Sequence, residues 1–453
     1  MIGASHAKPT IQILRGRLLS KKKCLHDLIL YSFLWIYQRI MHVKATYIIE
    51  DFFENIYRVG AGTIIATILV FSFNVMAGRI AGPTEYGIFT LIQTVGLFLY
   101  IPMILGSNIA MVKYANENNT NKEIQSEIIA STYVITFISI LIFCFLYIIF
   151  ADSISIAFSI GRNLFDLSII FAILLAFYNL TLNTLRSLYK MKYYAAIQTL
   201  YGIALLIFFY IFVLFGRISF KYILISLYIS YALMIIIILI YAFRYIKIKV
   251  TIYWIKTILR YSIFTFLGSA SFAVYTNIDK LFINKYFLPS DIGLYNAYYL
   301  SSINVIMTIS VAFTAVFFPS ISRCTNRLAV LNIVNNFIPY VLLLGLPFIL
   351  ITQYLILRLY GDSYQIIISL MVLFAIASIL FICYDVYAWM LNSDGEKGPK
   401  ITLISAIIIG LVNIILNMYL VPLWGLHGAI GSTAIAYCLG LVVIYNLTTK
   451  YLG

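Results

Sequence analysis

The stretch RIAGPTEYGIF (Arg79–Phe89) is a polar hinge between two apolar runs, and KYFLPSDIGLY (Lys285–Tyr295) repeats its pattern. Pro83, Thr84, Glu85, Gly87 and Ile88 stand opposite Pro289, Ser290, Asp291, Gly293 and Leu294 at a constant offset of 206 (289 − 83), and Arg79 falls on Lys285. Read locally, each hinge is a helix start, with Thr84 or Ser290 as N-cap and an acid in the first turn. Capping accounts for each hinge alone. It does not account for their recurrence at equivalent places in so apolar a chain.

Outward from the hinges the chain is 63% hydrophobic and only 10% charged over 453 residues, against about 25% charged in a soluble domain. Apolar runs of about 20 residues recur from Tyr57 onward, each long enough to cross a bilayer as a helix. A soluble helical core needs polar faces that these runs lack, and a membrane barrel would show short alternating segments. The expected fold is therefore all-α: a polytopic membrane protein with about twelve transmembrane helices. The spans fall near 57–78, 88–111, 127–150, 166–185, 194–215, 219–243, 261–284, 293–318, 331–357, 364–391, 400–421 and 427–448. The longest internal connections are expected at 112–126 and 244–260, too short for a soluble catalytic domain.

In such a chain the net charge of +15 reports orientation before it reports nucleic acid. With the N-terminus inside, the internal cytoplasmic loops hold fourteen Lys and Arg and the external loops and their margins six. Both termini are thus expected in the cytoplasm. The hinges join spans one and two and spans seven and eight, so six spans separate them. That predicts two parallel-repeat six-helix halves, 46–250 and 251–453, as in some secondary transporters. Asn179 in the fourth span then meets Asp385 in the tenth. Residues 1–45 form an N-terminal extension. Its ten-residue apolar run at 28–37 reads either as a basic surface helix or as sequence upstream of a start at Met41, the reading preferred here.

Polar side chains inside the spans locate the candidate site. In the seventh span Ser262, Thr265, Ser269, Ala273, Thr276, Lys280 and Asn284 recur at helical spacing. One face is small or polar throughout and carries a lysine. A charge facing lipid is costly, so this face is expected to look into a wet cleft or a protein interface. Asp279 sits about 100° round the helix, so it either pairs Lys280 loosely or reaches another helix. The same stripe in the first span is Thr63, Thr67, Asn74 and Gly78, ending beside Arg79, and the eighth span adds Ser301, Asn304 and Thr308. Spans one, two, seven and eight should face each other across a polar cleft, with Lys280, Arg79, Lys285, Asp279, Asn74 and Asn304 as substrate-binding candidates. Snorkelling toward the headgroups is the competing reading for Lys280 and, more strongly, for Arg79. Asp385, with Asn179, is a structural or coupling candidate: its apolar run demands a hydrogen-bonding partner. His427, between Gly425 and Gly428, reads as a turn residue.

Five scattered cysteines and four histidines form no metal-ligand or redox spacing. No phosphate-cradling loop and no Ser/His/Asp arrangement is present. No enzyme, cofactor, metal site or nucleic-acid partner is expected, and transport must draw on a substrate gradient, an ion gradient or a partner protein.

AGRIAGPTEYGIFTLIQT (Ala77–Thr94), YTNIDKLFINKYFLPSDIGLYNAYY (Tyr275–Tyr299) and NIILNMYLVPLWGLHGAIGSTAIAY (Asn413–Tyr437) resemble Wzx-type polysaccharide flippases of the multidrug, oligosaccharidyl-lipid and polysaccharide exporter superfamily. The resemblance covers roughly residues 53–451. It implies a multi-pass protein of the bacterial inner membrane that turns undecaprenyl-diphosphate-linked oligosaccharide, for O-antigen or another surface polymer, from the cytoplasmic to the periplasmic leaflet. It further implies membrane lipids, a polysaccharide polymerase and chain-length proteins as partners. Arg79 and the Asp279–Lys280 pair match positions typically basic or acidic in that family. A drug or cation exporter of the same superfamily is the alternative; basic residues at the outer ends of spans one and seven favour an anionic head group instead. A membrane polymerase or ligase would be expected to carry a large external loop.

The charge counts predict that cysteines placed near Glu85 and Asp291 react with an impermeant periplasmic reagent while one near Lys249 does not. Labelling of the two hinges from opposite sides would overturn the parallel duplication.

Overall fold

A computed structural model describes residues 47–242, 244–245, 249–322, 327–394 and 397–452. The N-terminal apolar run, Met41, Cys24 and Cys324 lie outside them. Among the described residues all regular structure is helical: α1 (Tyr47–Ile104), α2 (Ser107–Glu117), α3 (Lys122–Ala157), α4 (Arg162–Ser187), α5 (Met191–Leu214), α6 (Phe220–Ala242), α7 (Ile252–Tyr286), α8 (Pro289–Ser301), α9 (Ile303–Ser322), α10 (Arg327–Tyr360), α11 (Ile368–Asn392) and α12 (Lys397–Leu452). Nine helices among the described residues are long and apolar enough to cross a membrane. The chain is thus an all-α, multi-pass membrane protein. In lipid every backbone group must bond within its own helix, which is why long apolar runs fold this way.

Spans and helices do not correspond one to one. α1 turns at Gly82 (φ 78°, ψ 169°) and α12 at Gly425 (φ 56°, ψ −131°), so each carries two of the expected spans. The expected eighth span is divided at Ser302, whose φ of −128° and ψ of −83° leave helical geometry. There the hydroxyls of Ser301 and Ser302 both donate to the Tyr298 carbonyl, a back-bond that bends helices. The connection expected over 112–126 is shorter, because α2 runs to Glu117 and Asn121 caps α3 by accepting from Glu123 N and Ile124 N.

The hinges differ in detail from their sequence reading. Thr84 and Ser290 are not N-caps. The residues outside helical geometry are Gly82 and Leu288, each followed by proline at the first helical position. Proline lacks the amide that would go unbonded there, and it holds the residue before it extended in ψ, here 169° and 158°. Asp291 caps its own helix by accepting from Leu288 N at 3.1 Å. Glu85 instead reaches away and accepts from Phe220 N at 2.7 Å, capping α6.

α1 is the spine of the first part of the chain, packed on α4 and α5 and, across the repeat, on α8. α12 is its counterpart in the second part, packed on α7 and α11. Fully buried side chains at the meeting of the two parts include Tyr86, Phe89, Tyr295 and Tyr298. The outer surface is apolar instead: Ile142, Phe145 and Ile148 of α3 are 56%, 64% and 76% exposed, as a lipid-facing belt should be. At the lysine-rich end, Lys249 is held 2.5 Å from Glu127. That hydrogen bond raises the lysine's pKa, so the lysine stays charged through the neutral range.

Removing the Glu85 cap leaves the Phe220 amide at the start of α6 without its acceptor. Glu85→Ala should cost about 1 kcal/mol and lower the unfolding midpoint of the detergent-solubilised protein. An unchanged midpoint would show that the cap is not stabilising.

Candidate functional site

The polar stripe of α7 lies inward. Ser262, Ala273, Thr276 and Lys280 are buried and Thr265, Ser269 and Asn284 half-buried. Asp279 is also buried, at 3% exposure, and reaches other helices rather than Lys280. Its Oδ2 accepts from Tyr295 Oη at 2.5 Å and from Thr433 Oγ1 at 2.6 Å, and its Oδ1 accepts from Asn417 Nδ2 at 2.9 Å. Three donors from α8 and α12 thus converge on one carboxylate. A buried carboxylate is tolerated in an apolar interior only with such partners.

A second layer completes the cluster. Asn417 Nδ2 also donates to Asn413 Oδ1 at 2.5 Å, and Asn413 Nδ2 donates to the Tyr275 carbonyl at 3.2 Å. Asn417 Oδ1 is buried without a hydrogen-bond partner. The gathered oxygens are one carboxylate, two amides and two hydroxyls, the hard donors that small cations take. Among the described residues no group of three or more His, Cys, Asp or Glu is placed to hold a metal ion.

Lys280 faces a separate environment. It is 5% exposed; its Nζ donates to Asn277 Oδ1 at 3.3 Å and lies 4.6 Å from the Tyr299 ring centroid. Among the described residues no carboxylate lies within ion-pair distance of it. The other two basic candidates lie elsewhere. Arg79 is exposed and donates to the Leu359 carbonyl at 3.4 Å. Lys285 is exposed and sits 5.4 Å from the Tyr286 ring. Of the three, only Lys280 is enclosed.

Asn74 accepts from Tyr86 Oη at 3.0 Å. Asn304 is half-buried, its carbonyl accepting from Thr308. Asp385 accepts a hydrogen bond from Ser310 Oγ, so α9 supplies the partner its apolar run requires. Asn179 donates to the Leu175 carbonyl at 3.0 Å, a bond within its own helix. His427 is more than a turn residue: its Nε2 lies 2.8 Å from Ser369 Oγ at the start of α11.

Tyr295, Asn413, Asn417 and Thr433 are site residues that sequence reasoning missed. Two asparagines one helical turn apart inside an apolar span were the available signal. The repeat offset sharpens it. The positions 206 before Asp279, Tyr295, Asn417 and Thr433 hold Phe73, Phe89, Ile211 and Leu227. There Phe73 packs edge-on against Phe89 at 6.1 Å and Phe209 at 5.4 Å. The polar cluster belongs to one repeat, and a phenylalanine cluster fills its place in the other.

Several solved structures share this architecture. An inward-facing multidrug resistance MATE family transporter of the MOP superfamily matches with a TM-score of 0.64 at 14% identity, over 85% of this chain and 94% of that one. The lipid II flippase MurJ, in an inward closed conformation, matches with a TM-score of 0.60 at 18% identity, over 86% and 87%. A MOP superfamily transporter from Pyrococcus furiosus matches with a TM-score of 0.55 at 14% identity, over 88% and 95%. No curated protein matches the sequence. The fold is that of the MOP superfamily transporters. Residues 52–325, more than half of the chain, match the family described as Polysaccharide biosynthesis protein, and the chain belongs to that family.

Thr433→Val removes one donor from the buried Asp279 carboxylate at nearly constant shape. The expected cost is about 1.5–3 kcal/mol, the range for a hydrogen bond to a charged group, read as a lower unfolding midpoint. An unchanged midpoint would mean that the carboxylate is not held by these donors.

Proposed function

We propose that this protein is a flippase that carries undecaprenyl-diphosphate-linked oligosaccharide from the cytoplasmic to the periplasmic leaflet of a bacterial inner membrane for surface polysaccharide assembly. The family and the fold support this reading. The observation that carries it is Lys280, enclosed in the membrane region beside one amide oxygen and one tyrosine ring, with no carboxylate of the described residues at ion-pair distance. A buried charge is costly unless paired. A diphosphate supplies the missing partner, through the strong bonds that phosphate oxygens form with cations. An exporter of cationic drugs would share the fold but not profit from this lysine.

In this reading residues 46–250 and 251–453 act as two halves, and both termini lie in the cytoplasm. The sugar lies between the halves while the lipid tail stays in the bilayer. Lys280 is the phosphate anchor. Asp279 is reassigned from substrate binding to coupling, because its oxygens are already taken up by Tyr295, Asn417 and Thr433. Arg79 and Lys285, exposed at the hinge end, guide the anionic head group at the exit. Asp385 is structural; its bond from Ser310 asks for a hydrogen-bonding group more than a charge. The polymerase and chain-length proteins of the same assembly receive the product.

Losing one charge-assisted bond costs about 1.5–3 kcal/mol, which is roughly ten- to a hundredfold in transport at limiting substrate. Lys280→Ala should therefore reduce surface glycan at normal protein abundance, with an inner-leaflet lipid-linked oligosaccharide accumulating, and Lys280→Arg should largely restore it. A surface-glycan gel beside an immunoblot reads this. Full-strength glycan from Lys280→Ala would remove the phosphate role.

A further inference from the structure

The two hinges touch each other, and they do so through equivalent residues. A Cβ added at Gly87 would lie 1.7 Å from the Pro289 carbonyl oxygen and 3.0 Å from Gly293 N. One added at Gly293 would lie 2.1 Å from the Pro83 carbonyl oxygen and 3.1 Å from Gly87 N. The contact is therefore reciprocal and backbone to backbone, and no side chain fits on either side. One turn further on, Asn296 Nδ2 donates to Thr90 Oγ1 at 3.3 Å. Gly87 with Gly293, and Thr90 with Asn296, are each separated by 206. A residue can touch its own counterpart only on the axis that relates the two copies. A local twofold axis thus runs between the second helix of each hinge.

Around this axis lies a buried polar lock. Tyr86 Oη donates to Asn74 Oδ1 at 3.0 Å, accepts from Asn296 Nδ2 at 3.0 Å and lies 3.5 Å from Tyr360 Oη. Tyr364 Oη donates to the Gly78 carbonyl at 3.1 Å. At the exposed rim, outside the buried lock, Asn284 Nδ2 donates to the Ser159 carbonyl at 2.7 Å. Apart from the Tyr86–Asn74 bond, each of these links residues before 243 to residues after 251, and all lie at the hinge end of the helices.

We infer that the Gly87–Gly293 crossing, locked by Tyr86, Thr90 and Asn296, is the seal that closes the hinge end and must part when the interior opens there. Glycine makes the seal possible by letting two backbones meet. The hydroxyl and amide lock makes it reversible, because each bond lost on opening can be replaced by water entering the gap. Packed side chains alone would offer no such exchange. This inference rests on the transport reading only for the existence of two states.

The test uses the full chain in a cysteine-free background. The Thr90→Cys/Asn296→Cys pair should form a disulfide on mild oxidation in membranes, stop surface-glycan export, and recover on reduction. Export at the full rate from fully cross-linked protein would overturn the seal. In a second arm, Gly87→Ala holds the backbones apart, so the thiol of an added Asn74→Cys should react about tenfold faster with a soluble maleimide. Tyr86→Phe, which keeps the ring and the fold, should give a smaller rise of about fivefold, the worth of one hydrogen bond. Unchanged reactivity in both variants, at normal abundance, would overturn the inference. The maleimide rates need no substrate. If they behave as expected while no lipid-linked oligosaccharide accumulates in the cross-linked strain, the seal stands and the flippase reading falls.

Discussion

A carboxyl group in a membrane interior must have both oxygens satisfied, and Asp279 makes that demand on the second half of the chain. Its three donors come from α8 and α12, and the asparagine that supplies one of them is itself positioned by a neighbour that bonds to the Tyr275 carbonyl of α7. Apolar packing among lipid-facing helices is non-directional, since lipid tails are as apolar as leucine. Directional bonds to one buried carboxyl group fix how α7, α8 and α12 are set against one another. The separation of Asp279 from Lys280 follows from it. With its oxygens taken by these donors, the carboxyl group makes no hydrogen bond to the adjacent lysine.

Much of this architecture was legible in the amino-acid order. Apolar runs of membrane length gave the helical class, and the spacing of Ser262, Thr276 and Lys280 gave the inward face of α7. The repeated hinge was visible as well, although its meaning was not: the offset of 206 says that Gly87 and Gly293 are equivalent, but not that they meet. The partners of Asp279 were hidden because they lie 16, 138 and 154 residues away, on helices whose rotation no local pattern sets. The break at Ser302 was missed for a similar reason. Serine inside an apolar run is compatible with a straight helix, and only the back-bonded geometry shows the bend. The grouping of Arg79 with Lys280 came from projecting one repeat onto the other. Equivalent positions in two copies have equivalent backbones, not equivalent neighbours, and Arg79 turns toward the end of α10.

The two repeats share a skeleton and divide the chemistry. Gly82 and Leu288 make the same bend with opposite signs of φ, 78° and −82°. The left-handed value is open to glycine at little cost, and the side of the bend carrying Leu288 is the one that its own Asp291 caps. Glu85, freed from that duty, stabilises a different helix. The two hinge segments thus do different local work.

The replacement of the Asp279 cluster by phenylalanines in the first half has an energetic consequence. A symmetric pair of carboxylates would let two ions act per cycle. In the coupling role proposed for Asp279, a single carboxyl cluster set against one without a carboxyl limits that route to one. Moving one elementary charge through the membrane field yields about 2.3 kcal/mol per 100 mV. A carrier driven through this cluster alone would then be a low-gear machine, able to bias the direction of its cargo but dependent on steady removal of product to concentrate it steeply.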